Sequence, residues 1–307
     1  MSSILVKRIS EGNDAVFSLI PPFPNNGMRI EITNICNHNC VFCANKKIKR
    51  DKKQIDESFL YHILNEAFDS GIQEVGFNMG GEPLVCSNFV EYVKVAKDIG
   101  YSYVFLTTNG SLATPDLLKN IVDAGLDSIK ISINAGSREA YKAIHGKDDF
   151  DKVIENLKFC NDYRKESGKK YNIFVSFVVT NQTEHEIREF KDHVKDYTDE
   201  IAFYKVRSVA VEMPENKVFV GEFSKVERCV APFNGIYVTC EGFLVPCCSD
   251  FNNNLVLGDL NVQSLKDIWY GERMTWLRQK LLNNDIEDIQ CGACLQGGGG
   301  EVELIEF

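Results

Sequence analysis

The sequence predicts an α/β fold in which a partial (β/α)6 barrel precedes a small cysteine-rich module. Between residues 29 and 207, short apolar runs alternate with longer amphipathic ones, as in parallel sheets whose strands are joined by helices. After about residue 208 this alternation stops, and seven of the eleven cysteines fall into two groups at opposite ends of the chain. Six strand–helix units are too few for a closed eight-stranded barrel, so we expect an open, TIM-like barrel with its site at the carboxyl ends of the strands.

Runs rich in Val, Ile, Phe or Tyr predict the six strands. They are Arg29–Thr33, Glu74–Asn78, Tyr103–Thr107, Ser128–Ile133, Ile173–Val179 and Ile201–Val206. The amphipathic runs between them predict the helices Asp56–Ala67, Asn88–Ile99, Pro115–Ala124, Phe150–Arg164 and Glu184–Lys195. Asp56 and Thr114 stand where N-caps are expected, and Gly100 and Gly125 follow their helices as C-caps do.

The second part of the chain has a different composition, because Gly, Pro and Asn become frequent there and cysteines return. One helix is predicted in this part, Ser264–Leu282, with Ser264 as its N-cap. We expect that bound metal holds the module together, rather than a large hydrophobic core. The predicted domains are an N-terminal extension (1–28), the barrel (29–207), the cysteine-rich module (208–296) and a Gly-rich acidic tail (297–307).

Composition excludes several classes of function. A formal charge of −10 disfavours nucleic-acid binding, and the basic run at 46–53 is either a solvated loop or a patch that steers an anionic substrate or an acidic electron donor. Neither a transmembrane stretch nor a signal peptide is evident, so we expect a cytoplasmic protein without membrane partners. In that compartment grouped cysteines bind metal or do chemistry more often than they form disulfides.

The first cysteine group follows the first strand with the spacing C-x3-C-x2-C at Cys36, Cys40 and Cys43. Three thiolates on one loop can ligate three irons of a four-iron cluster and leave the fourth iron open. The alternative is a zinc site in which His38 completes four ligands.

This cysteine spacing resembles the signature of the radical S-adenosylmethionine superfamily, and Phe42 matches the aromatic residue usual before the third cysteine. The resemblance implies a [4Fe–4S] cluster whose open iron is chelated by S-adenosylmethionine. It also implies reductive cleavage to a 5′-deoxyadenosyl radical that takes a hydrogen atom from the substrate. A flavodoxin- or ferredoxin-type protein would supply the electron.

Further residues match the family's cofactor-binding motifs. Gly80-Gly81-Glu82-Pro83 resembles the GGEP motif that holds the methionine amino group, and 107–110 resembles the stretch near the ribose. The residues with an implied role in S-adenosylmethionine binding at the ends of later strands are Thr108, Asn109, Ser132, Asn134, Val179 and Asn181.

The second cysteine group, Cys229, Cys247, Cys291 and Cys294, resembles the auxiliary-cluster module of twitch or SPASM radical enzymes. The resemblance implies one auxiliary [4Fe–4S] cluster with four protein ligands, and a four-cysteine zinc site is the alternative. Cys240 can replace Cys247 as a ligand in this pattern. Cys248 is either incidental or a thiol that returns a hydrogen atom to a substrate radical.

The chain resembles aminocyclitol and sugar dehydrogenases and epimerases of this group, so we expect a small, polar, carbohydrate-like substrate. Oxidation of an alcohol, with the auxiliary cluster accepting an electron, is the preferred reaction. Epimerisation and modification of ribosomal peptides are alternatives, the latter disfavoured because only 35 residues precede Cys36. A zinc-binding scaffold is the non-enzyme alternative. Candidate substrate contacts are three residues near the junction of barrel and module, Arg207, Glu212 and Arg228. A hydroxyl-rich or phosphorylated substrate would suit the arginines, because Arg forms paired hydrogen bonds to oxyanions.

Overall fold

The protein is described by a computed structural model that covers residues 4, 15–25, 27–205 and 228–296. Within these residues nine strands form one sheet in the order β6-β5-β4-β3-β2-β1-β7-β8-β9. The strands are β1 Met28–Ile30, β2 Glu74–Phe77, β3 Tyr103–Thr108, β4 Ser128–Ser132, β5 Asn172–Val179, β6 Glu200–Lys205, β7 Ile236–Val238, β8 Phe243–Val245 and β9 Gly258–Asp259. Strands β1 to β6 are all parallel, which confirms the predicted fold class.

The α-helices of the described residues are α1 Glu57–Asp69, α2 Phe89–Ile99, α3 Pro115–Asp123, α4 Arg138–His145, α5 Phe150–Ser167, α6 Ile187–Val194, α7 Ala231–Asn234, α8 Leu265–Tyr270, α9 Glu272–Leu282 and α10 Gln290–Gln296. The helices α1, α2, α3, α5 and α6 lie at the positions that the sequence pattern predicts, whereas α4, α7 and α10 were not predicted. The predicted N-caps are present, because Asp56 accepts from Phe59 N and Thr114 from Leu117 N. None of the described helices is long and apolar enough to cross a membrane.

The two faces of the sheet differ in chemistry because side chains alternate along each strand. One face is apolar and fully covered by helices, as at Val75, Phe77 and Val104, which are 0% exposed. The other face is concave. Arg29 of β1 lies within electrostatic reach of Tyr204 of β6, although four strands separate β1 from β6 in the sheet. Only a strongly curled sheet brings these two strands together, so the concave face encloses a chamber.

The structure corrects the sequence prediction at several places. Helix α4 was not predicted; it is a short segment between the N-cap Ser137 and the left-handed Gly146. The single helix expected over Ser264–Leu282 is two helices, α8 and α9. They part at Gly271, where the backbone is extended and a Cβ would lie 2.6 Å from Asp267 O. Strands β7 to β9 have two or three residues each, too few for a recognisable pattern, and they extend the barrel sheet beside β1.

Candidate active site

The loop that follows β1 brings three thiols together. Burial raises the pKa of Cys36 to about 11. Burial, and then the neighbouring Cys43 and Cys36, raise the pKa of Cys40 well above its usual range. Thiols whose charges repel one another in a buried place become stable thiolates only beside a bound cation, so this donor set fits a metal cluster.

Helix α4 holds this loop in position. Asn39 N donates to His145 O (3.0 Å) and Val41 N donates to Ile144 O (2.9 Å), so the carboxyl end of α4 forms two backbone hydrogen bonds to the loop. Both ring nitrogens of His38 are engaged, Nε2 with Asp149 Oδ2 at 3.1 Å and Nδ1 with His145 Nδ1 at 3.2 Å. His38 therefore braces the loop, which weighs against its role as a fourth zinc ligand.

The two glycines of the GGEP segment lie where no side chain fits. A Cβ on Gly81 would be 2.2 Å from Thr33 O, and a Cβ on Gly80 would be 2.1 Å from Glu31 Oε1. The next residue, Glu82, donates its N–H to Ile35 O at 2.9 Å. The segment is thus pressed against the chain that leads into Cys36, as a cofactor shared by the two loops requires.

The carboxylate of Glu82 ties this segment to the end of β3. It accepts hydrogen bonds from Thr108 Oγ1 (2.6 Å), Asn109 N (2.7 Å) and Leu84 N (3.1 Å). Burial raises the pKa of Glu82. Asn109 Nδ2 in turn donates to Asn37 Oδ1 in the cysteine loop at 2.9 Å. Three sequence motifs that are far apart in the chain therefore form one hydrogen-bonded unit.

The ends of β4 and β5 contribute the remaining predicted cofactor residues. Asn134 has a φ of +59°, and its Oδ1 accepts from Val178 N at 2.8 Å. The hydroxyl of Ser132 lies 3.1 Å from that of Ser176. Of the others, Val179 and Pro83 are buried, Phe42 is half-buried and Asn181 is exposed. Their roles stay predictions.

The four cysteines of the second group line one cavity. They come from three separate segments, before α7, after β8 and within α10. Burial raises the pKa of Cys229 to about 11 and that of Cys291 to about 12. A buried set of four thiols fits a metal site ligated entirely by protein, and no fifth cysteine is among the residues that line the cavity.

The two remaining cysteines of this region lie elsewhere. Cys240 does not line the cavity; its N–H donates to Glu31 Oε2 at 3.2 Å and its Sγ lies 3.6 Å from Glu241 Oε2. Cys248 is also outside the cavity lining, but it lies within hydrogen-bonding reach of the Arg29 guanidinium. Cys248 therefore stands between the four-cysteine cavity and the chamber of the barrel.

Sequence reasoning missed the cations that face this chamber. The Arg29 guanidinium lies 5.8 Å from the Tyr237 ring centroid, and Lys130 Nζ lies 3.4 Å from the Tyr204 hydroxyl. A charged residue in the middle of a parallel strand is itself a signal, because both faces of such strands are normally buried and apolar.

The predicted substrate contacts stay predictions. Arg207 and Glu212 lie outside the described residues. Arg228 is exposed, with its guanidinium 5.6 Å from the Phe17 ring centroid.

Comparison with known proteins relates these sites to established families. Residues 30–194 match the radical SAM superfamily, and residues 229–295 match an iron–sulfur cluster-binding domain, SPASM. A probable GTP 3′,8-cyclase of Saccharolobus islandicus is 35% identical over 167 residues, which cover 54% of this chain and 52% of that protein. An uncharacterized protein of Methanocaldococcus jannaschii is 32% identical over 186 residues, or 60% of this chain and 59% of that one. The matched part of the chain spans about half the length of the GTP 3′,8-cyclase relatives.

Solved structures share the fold. BtrN in complex with AdoMet and 2-DOIA aligns over 93% of this chain and 100% of its own, with a TM-score of 0.64 and 18% identity. Streptococcus suis SuiB bound to the precursor peptide SuiA aligns over 96% and 74%, with a TM-score of 0.69 and 18% identity. The chain therefore belongs to the radical SAM superfamily, and as a member with a SPASM module it is an enzyme that binds S-adenosylmethionine and [4Fe–4S] clusters.

Proposed function

We propose that this enzyme oxidises an alcohol of a small polar substrate to a ketone by two electrons, with one auxiliary cluster as the acceptor of the second electron. The observation that carries the proposal is the cavity lined by Cys229, Cys247, Cys291 and Cys294. Four thiolates saturate a four-iron cluster, so a cluster held there has no open iron for substrate and is suited to electron transfer. Cys247 is a ligand in this proposal and Cys240 is not, because Cys247 lines the cavity and Cys240 is not among the lining residues.

The cofactors, when bound, would supply a 5′-deoxyadenosyl radical that takes the carbinol hydrogen atom, while a base takes the hydroxyl proton and the auxiliary cluster takes the remaining electron. The residues of the chain position the cofactors and the substrate relative to one another. Cys36, Cys40 and Cys43 leave one iron open, and the adjoining glycine segment admits the methionine end of the cofactor beside it. Glu82, buried and hydrogen-bonded to two strand ends, fixes the distance between that segment and the end of β3. A substrate in the chamber then lies near both the cofactor and the module.

The contact between Arg29 and Cys248 supports the path of the second electron. Cys248 follows Cys247 directly in sequence, and Arg29 faces the chamber. A substrate that touches Arg29 would therefore lie close to Cys248, the sequence neighbour of the proposed ligand Cys247. An acceptor this near the substrate can oxidise a ketyl radical before it regains a hydrogen atom.

The substrate class in this proposal rests on the likeness to BtrN, whose structure contains AdoMet and 2-DOIA and aligns over 93% of this chain with a TM-score of 0.64. That likeness supports a small carbohydrate-like substrate. SuiB, bound to a precursor peptide, aligns over 96% of this chain with a TM-score of 0.69, so a peptide is a competing class. The relatives named as probable GTP 3′,8-cyclases make a nucleotide another competing class.

The test begins with anaerobic reconstitution and iron and sulfide analysis. Wild type should hold about eight irons and the Cys36/Cys40/Cys43→Ala variant about four. A panel of polyols, aminocyclitols, sugar phosphates and GTP is then incubated with S-adenosylmethionine and reduced flavodoxin. Ketone and 5′-deoxyadenosine in equal amounts support the proposal. Zinc without iron, or full turnover by Cys247→Ala, would refute it.

A second candidate function is radical epimerisation, which the place of Cys248 beside the chamber favours. A thiol there is able to return a hydrogen atom to the face opposite the one attacked. Turnover in D2O would then place deuterium at the inverted carbon. Cys248→Ala would form 5′-deoxyadenosine without product, while an oxidase would keep making ketone.

A further inference from the structure

Two cations face the chamber on opposite sides, Arg29 on β1 and Lys130 on β4. We infer that these two residues, with Tyr204, form a subsite for an oxyanion group of the substrate, a phosphate or a carboxylate. This deepens the proposed function, on which it rests, by naming a chemical feature of the substrate.

The curl of the sheet brings the three side chains into one group. Tyr204 is the link, because its hydroxyl lies 3.4 Å from Lys130 Nζ and it is also within electrostatic reach of Arg29. Arg29 and Lys130 are on one face, because the register runs from Arg29 through Gly76 and Phe105 to Ser128, two residues before Lys130. Tyr204 is on the same, concave face, because Lys130 pairs with Phe174, and Tyr204 pairs with Val178 four residues further along that strand. Their polar ends therefore point to one region of the chamber.

Arg29 and Lys130 form no direct ion pair with an acidic residue that the structure describes. The groups with the largest electrostatic effect on Arg29 include Tyr237, Tyr204 and Cys248, none of which is a carboxylate. A half-buried cation without a counter-ion is costly, and a bound anion removes that cost.

The donors also match the shape of an oxyanion. A guanidinium offers two parallel N–H groups to two oxygens, while an ammonium and a phenol each supply a further donor. Arg29 is one residue, and Lys130 two residues, before the carboxyl end of its strand. The motifs of the cofactor site begin after those ends. An anionic group held here leaves the rest of the substrate extending toward the cofactor site.

Calorimetric titration of the reconstituted, S-adenosylmethionine-bound holoenzyme tests this subsite without turnover. The probes are inorganic phosphate and acetate, which distinguish a phosphate from a carboxylate. We expect saturable binding of one of them, weakened about tenfold or more in Arg29→Gln and in Lys130→Gln, which is about 1.4 kcal/mol or more. Lys142→Gln, which changes an exposed lysine on α4, is the matched control and should bind like wild type.

The outcomes are separable from those of the function test. Arg29→Lys keeps a cation and should retain part of the binding, so loss through misfolding is distinguished from loss of charge. No saturable binding of either anion to wild type, or equal binding by wild type and both Gln variants, overturns the subsite. Anion binding without ketone formation from any substrate leaves the subsite standing and counts against the oxidation.

Discussion

The two cysteine groups of this enzyme are built in contrasting ways. Cys36, Cys40 and Cys43 occupy one short loop, and hydrogen bonds from that loop to α4 and to the GGEP segment hold it. The four cysteines of the module come from three segments that are up to 65 residues apart, and packing brings them to one cavity. In the proposed function, the local motif would present an open iron, and the dispersed one would enclose its cluster.

The two sites depend on the rest of the molecule in different ways. The first site needs its neighbours mainly for orientation, whereas the second does not exist until α7, β8 and α10 are assembled. The two regions meet at Arg50, which donates to both oxygens of Glu31 (2.8 and 2.9 Å), to Glu241 (2.6 Å) and to Phe251 O (2.7 Å). Glu31 also lies against Gly80, so Arg50 connects the cofactor loops with the module.

Replacing one cysteine in each group should have the largest effect, and the two variants should lose different products. Cys36→Ala should abolish release of 5′-deoxyadenosine, because the open iron is lost with the first cluster. Cys291→Ala should keep that release while losing most of the oxidised product. Chromatography of both products, with iron analysis, measures the split.

Cys160→Ala is the control for these two variants, since Cys160 is buried in α5 and belongs to neither group. It should keep the iron content and both products of wild type. Equal loss of 5′-deoxyadenosine in Cys36→Ala and Cys291→Ala would contradict the division of labour between the sites.

Arg50→Met should be nearly as damaging, but through stability. Its side chain is 8% exposed and that of Glu31 is 2% exposed, so the substitution leaves a carboxylate buried without its partner. Removal of one member of a buried pair costs about 3–5 kcal/mol. Urea unfolding of the cluster-free protein measures the loss.

The matched control is Arg138→Met, which breaks ion pairs of an arginine that is 56% exposed and should change stability by about 0.5 kcal/mol or less. A loss as small in Arg50→Met as in this control would mean that Arg50 does not connect the two regions.

Gly81→Ala tests the contact between the GGEP segment and the cysteine loop. Its Cβ would meet Thr33 O at 2.2 Å and Ile35 O at 2.7 Å, and backbone atoms cannot move aside as flexible side chains do. We expect a loss of about 2–3 kcal/mol and weaker binding of S-adenosylmethionine, measured by urea unfolding and calorimetry. Gly168→Ala, with open space but a φ of +68°, should cost only about 1 kcal/mol and bind normally.

Much of the fold was predictable because its signals are local. Strands β2 to β5 and helices α1 to α3 follow the apolar periodicity within two residues. Helix α4 was missed although its His145 braces the cysteine loop, because eight residues between Ser137 and Gly146 give a weak pattern. The strands of the module were missed because pairing with β1 and with each other, more than their own sequence, makes them strands.

In the candidate site, too, the residues with a local sequence signal were predictable and the others were not. Motif spacing identified the cysteines and the GGEP segment. It did not identify Arg29, Lys130 or Arg50, because their roles depend on which strands and loops the sheet's curl and the module bring together. Lys46, Lys47 and Lys49 of the basic run are exposed, as both a solvated loop and a steering patch require, but the Arg50 side chain of the same run is only 8% exposed.

Two helix-cap substitutions, for which we predict the smallest effects, test whether the barrel and the module unfold together. Thr114 caps α3 of the barrel and Ser264 caps α8 of the module, each accepting a backbone N–H. Replacing either with Ala should cost about 1 kcal/mol. Because β7 pairs with β1 in a single sheet, we expect both variants to shift one common transition in urea, followed by circular dichroism of the cluster-free protein. If Ser264→Ala instead moved a separate, earlier transition that Thr114→Ala left in place, the module would be an independent unit held by its cluster, as the sequence alone suggests.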